Sequence, residues 1–110
     1  MVTVPVEIQI LFAFMLFLLG LTGVLVRRNI IFILMSLEIM FNSAGLIFII
    51  AGAHWGGVDG QVMFIFILTV AAAEVSVGLA LIMQMFHHYQ TLDVDQLNKL
   101  KDQDLPEIKI

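Results

Sequence analysis

Cysteine is absent from this chain. Disulfides, thiolate chemistry, iron–sulfur ligation and cysteine-type zinc sites are therefore excluded among these residues. Charge is scarce too. Only 13% of the 110 residues are Asp, Glu, Lys or Arg, about half the share usual for a soluble domain. Five Lys and Arg in all make no basic patch or stripe, so nothing points to nucleic acid. The chain leaves no room for a separate aqueous domain. What remains is 61% hydrophobic and places the chain in the membrane class. The net charge of −4 says little about partners.

The apolar residues fall into three runs, each long enough to cross a bilayer as a helix. The runs are expected at about 6–26, 30–53 and 62–86, with a tail over 87–110, all in one membrane domain. In the first, Glu7 and Gln9 sit at the outer end, where water or headgroups solvate them. That run lacks the basic flank and small-residue cleavage site of a signal peptide, and is expected to remain as a span. Gly20 and Gly23 suit helix packing. Arg27, Arg28 and Asn29 form a very short connector to the second run. There Leu34, Glu38, Asn42, Gly45 and Ile49 share one stripe at helical spacing. His54 to Gln61 reads as a glycine-rich turn, with Trp55 at the interface. His54 and Asp59 are too few for a metal site. His87 and His88 fall at a helix C-terminus and suit its dipole there.

The tail, from Tyr89 onward, is polar and acidic with interspersed lysines. Asp93 is a candidate cap for a short helix in which Leu97 and Leu100 make a weak apolar stripe. Asp95 and Lys99 have the spacing of a helical ion pair, and Pro106 would end the helix. The segment reads as a surface docking element or a frayed end. Three spans put the Arg27–Arg28 connector and the tail on one side, with all five Lys and Arg. The positive-inside rule makes that side cytoplasmic and the N-terminus outside.

Two carboxylates interrupt the apolar runs. Glu74 lies inside LTVAAAEVSVGLAL, flanked by small residues, with Ala71 and Gly78 on its own face. Glu38 lies on the polar stripe of the second run. A charged group at such depth costs roughly 2.5–3.5 kcal/mol on the milder insertion scales, and it is tolerated only facing protein or water. Counted from the cytoplasmic ends of their runs, Glu38 and Glu74 lie about 12 Å and about 18 Å deep at ~1.5 Å per residue. Two acids offset by about 6 Å on consecutive spans can be linked by a water or two, the arrangement a proton relay needs. The competing reading makes each a neutral hydrogen-bonding group that holds helices together. Arg27 and Arg28 likewise have two readings. They anchor the connector in the cytoplasm, or they bias the charge state of Glu38 across about 12 Å. Three helices of this length cannot shield an aqueous path, so other subunits must cover these faces.

The segments GLTGVLVRRNIIFILMSLEIMFNSAGL and DGQVMFIFILTVAAAEVSVGLALIMQ resemble the NuoK-type, or 4L, subunits of proton-pumping NADH:quinone oxidoreductase, respiratory complex I. The resemblance covers almost the whole chain. It implies an all-α integral membrane subunit with three transmembrane helices in the bacterial cytoplasmic membrane. It further implies that Glu38 and Glu74 act in proton translocation and that Arg27 and Arg28 act in the coupling loop. Subunits of the A, J, H and N types are the implied partners. NADH, FMN, iron–sulfur clusters and the quinone are implied to reside in partner subunits, with no cofactor on this chain. Two alternatives stay open from the residues: a small subunit of a related multisubunit cation/proton antiporter, and a purely structural assembly subunit.

Overall fold

The computed structural model describes residues 3–90 and 92–102, with the backbone alone for 101 and 102. It is helical throughout its regular elements: α1 (Val6–Val26), α2 (Ile30–Trp55), α3 (Asp59–Tyr89) and α4 (Val94–Asp102). The first three are long and apolar enough to span a membrane. In each, only 11% of the most apolar 18-residue window is buried within the chain. Packing inside the chain therefore covers little of these helices, and lipid or other protein must cover the rest. The chain is a multi-pass membrane protein.

α2 is the central helix, packed on α1 along one side and on α3 along the other. Small residues set both contacts. A Cβ on Gly20 would stand 2.6 Å from Met40 Cγ and 2.9 Å from the Ser36 carbonyl oxygen. A Cβ on Gly23 would run into the Ser36 hydroxyl. On the other side, Gly52 and Gly60 bring the α2 and α3 backbones together, and a Cβ on Gly60 would strike the Phe48 carbonyl. Such approaches gain van der Waals contact where lipid offers no hydrophobic drive for association.

Hydroxyl groups inside the spans are satisfied on their own helices. Thr22 donates to the Leu18 carbonyl, Ser36 to Phe32, Thr69 to Ile65 and Ser76 to Ala72, each at 2.8–2.9 Å. Each thus places its polar atom on a backbone acceptor and leaves nothing for lipid to desolvate.

The structure departs from the sequence reading at the helix ends. The turn expected over His54–Gln61 shrinks to three residues, because α2 runs on through His54 and Trp55 and α3 already starts at Asp59. Gly56 ends α2 in the left-handed conformation (φ 75°), donating its N–H to the Gly52 carbonyl, a conformation that favours glycine. Asp59 in the first turn of α3 suits the positive end of that helix. At the far end, α3 runs to Tyr89, and His87 and His88 stand in its last turn, at the helix C-terminus as expected.

The expected tail helix forms, with Asp93 Oδ1 accepting from the backbone N–H of Asp95 (2.9 Å) and Gln96 (3.4 Å). The expected Asp95–Lys99 pairing is replaced. Asp95 instead reaches back to the connector and pairs with Arg28, Nε to Oδ2, at 3.2 Å. Pro106 lies outside the described residues.

Candidate functional site

The α2–α3 contact is an antiparallel seam with a regular step. Gly52 faces Gly60; seven residues further in, Gly45 faces Phe64 and Ile67; near the connector end, Leu34 faces Gly78. One more seven-residue step from Gly45 and Ile67 lands on Glu38 and Glu74. Seven residues are about two helical turns, so these positions recur on one line of each helix and meet layer by layer. The two carboxylates thus occupy the layer between the Gly45 and Gly78 layers.

The cavity at that layer bears this placement out. Glu38 and Glu74 line one crevice together with Leu34, Leu37, Phe41, Ala71 and Val75. Its free space is about 170 Å³ and is divided too finely to admit a water. The offset of about 6 Å expected between the two acids therefore disappears. Counting from the span ends treats those ends as level, whereas the seam layers show α3 overhanging the start of α2.

The two acids differ in cover. Glu74 is half-buried against α2, with Ala71 buried one turn away and Gly78 packed on Leu34. Glu38 is exposed at the rim of the crevice, and Asn42, one turn further, is exposed beside it. Neither carboxylate makes a hydrogen bond within the chain among the described residues. The described residues thus supply no partner for their protons and lone pairs. The stripe of Leu34, Glu38, Asn42, Gly45 and Ile49 accordingly splits in the structure: Leu34 and Gly45 seal the seam, while Glu38 and Asn42 point to what lies beyond it.

The connector holds its arginines away from this layer. Arg27 lies over the Phe32 ring, 4.9 Å from its centroid, and Arg28 pairs with Asp95. Asn29 caps α2 through its side chain, accepting from the Ile31 N–H at 2.9 Å. Sequence reasoning passed over that cap, although an Asn directly before an apolar run is its usual signal. It also missed the bridge between Asn29 and Asp93, for which nothing local in the sequence gives a signal. No group of three or more His, Asp or Glu capable of holding a metal occurs among the described residues, and His54 faces the Trp55 ring instead.

Three packed spans, two carboxylates in one seam layer and one of them open at the rim define a polytopic membrane protein with paired acids between its helices. Comparison with known proteins narrows the class. Residues 8–102 match the family described as NADH-ubiquinone/plastoquinone oxidoreductase chain 4L, and the chain belongs to that family. It is 59% identical to the NADH-quinone oxidoreductase subunit K of Nitrosospira multiformis, over 92% of this chain and 99% of that protein. It is 62% identical to subunit K of Acidiphilium cryptum, over 86% and 93% of the two chains. The subunit K of Chromohalobacter salexigens is 55% identical over 89% and 96%.

Proposed function

We propose that this chain is a membrane-arm subunit of a bacterial NADH:quinone oxidoreductase, complex I, and that Glu38 and Glu74 form part of its proton-translocating path. The family match and the subunit K relatives support the first half. One observation carries the second: both carboxylates line the same intramembrane crevice, in the same layer of the α2–α3 seam. Carboxyl groups in one layer can exchange a proton through a single intervening donor. The open rim at Glu38 is where a neighbouring subunit or a water would supply it.

In this reading the chain is a non-redox part of the translocase. It binds no cofactor, and NADH, FMN, iron–sulfur clusters and quinone lie in partner subunits. Subunits of the A, J, H and N types cover its open faces in the bacterial inner membrane. The N-terminus faces outward, and the connector and tail face the cytoplasm. The bridge between connector and tail supports placing both at one end, and the positive-inside rule assigns that end. Arg27 and Arg28 belong to a coupling loop whose effect on the carboxylates runs through the start of α2. The Arg27–Phe32 and Arg28–Asp95 contacts favour this over direct charge action.

The test is Glu38→Gln in native membranes. NADH-to-quinone turnover and proton uptake are recorded together, with NADH oxidation by an artificial acceptor as the assembly control. The artificial reaction should survive while turnover and pumping collapse together. Turnover and pumping near wild type would mean that a neutral amide suffices and would refute the relay.

A further inference from the structure

The connector and the segment before α4 cap each other. The Ile30 N–H donates to the Leu92 carbonyl at 3.0 Å, and the Val94 N–H donates to the Arg28 carbonyl at 3.1 Å. Ile30 and Val94 are the first residues of α2 and α4. Their N–H groups are among those a helix cannot satisfy internally. The antiparallel bridge of Asn29 with Asp93 satisfies both at once, while the Asn29 and Asp93 side chains cap the next N–H groups of their own helices. The Arg28–Asp95 ion pair closes the same junction.

The junction also reaches α3. That helix ends at Tyr89 with Gln90 in the left-handed conformation (φ 56°), its N–H donating to the Phe86 carbonyl at 2.8 Å. Two residues later Leu92 is already bonded to the start of α2. The end of the Glu74 helix is thus tied by a very short length of chain to the start of the Glu38 helix.

Resting on the relay reading above, we propose that Leu92–Asp95 is a clasp that sets the register of α2 against α3 and so holds Glu38 and Glu74 in one layer. Asp95 is the positioning residue for Arg28. Near its connector end the seam lacks a backbone-to-backbone lock: the atoms nearest to a Cβ added on Gly78 would be Leu34 side-chain carbons, at 3.3 and 3.4 Å, and a side chain can yield. The glycine pair that locks the two backbones lies at the opposite end, at Gly52 and Gly60. The clasp supplies the second fixed point.

Val94→Pro tests it with little damage to α4. Proline is well accepted as the first residue of a helix, so the substitution removes chiefly the N–H bonded to the Arg28 carbonyl. At the usual net worth of one hydrogen bond, the closed clasp loses about fivefold against the open one. Asp95→Asn removes the ion pair. Both its groups are largely exposed, so the loss is smaller, about two- to threefold. Asp95→Glu keeps the charge.

The variants are measured in the assembled complex in native membranes, beside Glu38→Gln. Artificial-acceptor oxidation of NADH should stay at wild type in all four. Quinone turnover should fall severalfold in Val94→Pro and less in Asp95→Asn, through kcat with KM for quinone unchanged, and Asp95→Glu should restore it. Wild-type kcat in both Val94→Pro and Asp95→Asn, with Glu38→Gln inactive, overturns the clasp and leaves the relay standing. A parallel fall in artificial-acceptor activity, or no restoration by Asp95→Glu, makes the junction an assembly contact and overturns the positioning role. Wild-type turnover in Glu38→Gln overturns the relay, and the clasp's hold on the two carboxylates with it.

Discussion

Replacing Gly60 by alanine inserts a methyl group where α2 and α3 meet backbone to backbone. The new Cβ would run into the Phe48 carbonyl oxygen and lie 3.1 Å from Gly52 Cα. Carbon atoms sit best about 3.5–4.0 Å apart, so Gly52 alone demands a shift of about half an ångström. Neither atom belongs to a side chain that can turn away, so the helices must part. Overpacking of this kind costs roughly 2–3 kcal/mol. Gly60 is the second residue of α3, so alanine there returns at most the figure for a helix interior, about 1 kcal/mol. The net loss is then at least roughly 1–2 kcal/mol, combining the two figures.

Gly78→Ala is the matched control on the same helix. The atoms nearest its Cβ would be the Leu34 methyl groups, at 3.3 and 3.4 Å, and these can move by a few tenths of an ångström. There the propensity gain of about 1 kcal/mol should offset the contact. The assay is the amount of intact complex in membranes, read as NADH oxidation by an artificial acceptor in a native gel, together with quinone turnover per complex. Gly60→Ala should lower assembled complex severalfold, and Gly78→Ala should leave it near wild type. Full assembly in Gly60→Ala, or a larger loss in Gly78→Ala, would refute the claim that the glycine layer locks the seam.

Ser36→Ala should change assembly little, within about 1 kcal/mol, because the hydroxyl serves only the Phe32 carbonyl of its own helix; Ser36→Leu should abolish assembly by filling the space at Gly20 and Gly23. Asn29→Ala should cost about 1 kcal/mol by removing the α2 cap, with Asn29→Asp retaining it, as read from the heat resistance of quinone turnover. Phe32→Leu removes the aromatic seat of Arg27, worth about 0.5–1 kcal/mol at an exposed site, and should lower turnover no more than a few fold. A cysteine placed at Gly57 should react with a membrane-impermeant thiol reagent from outside intact cells, and one at Asn98 only from the cytoplasmic side; the reverse pattern would invert the proposed topology.

Much of this architecture is legible from local signals. Three apolar runs of sufficient length mark the spans, and small residues on either side of Glu74 mark a packed face. The helix ends are less so. Gly56 and Gly57 sit in a stretch rich in turn residues, and only the left-handed φ of Gly56 shows which glycine stops α2. The layering of Glu38 with Glu74 needs the register of two helices, and a glycine such as Gly52 announces a close approach without naming Gly60 as its partner. Asp95 is the clearest case. Its helical spacing points to Lys99, but a bridge between residues 29 and 93, far apart in sequence, brings it to Arg28 instead. Local periodicity carries no information on such a contact.

The open rim at Glu38 and Asn42 has a consequence for the life of the chain before assembly. A newly inserted copy, alone in lipid, would present a carboxyl and an amide to hydrocarbon with no partner of its own for either. It can relieve that exposure by admitting water, by tilting, or by binding whichever neighbour offers a donor at the right depth. The same side chain that would handle protons in the finished machine thereby makes solitary copies the least comfortable state of the protein. Supply of this chain is then tied to supply of its neighbours, since surplus copies have nowhere quiet to rest.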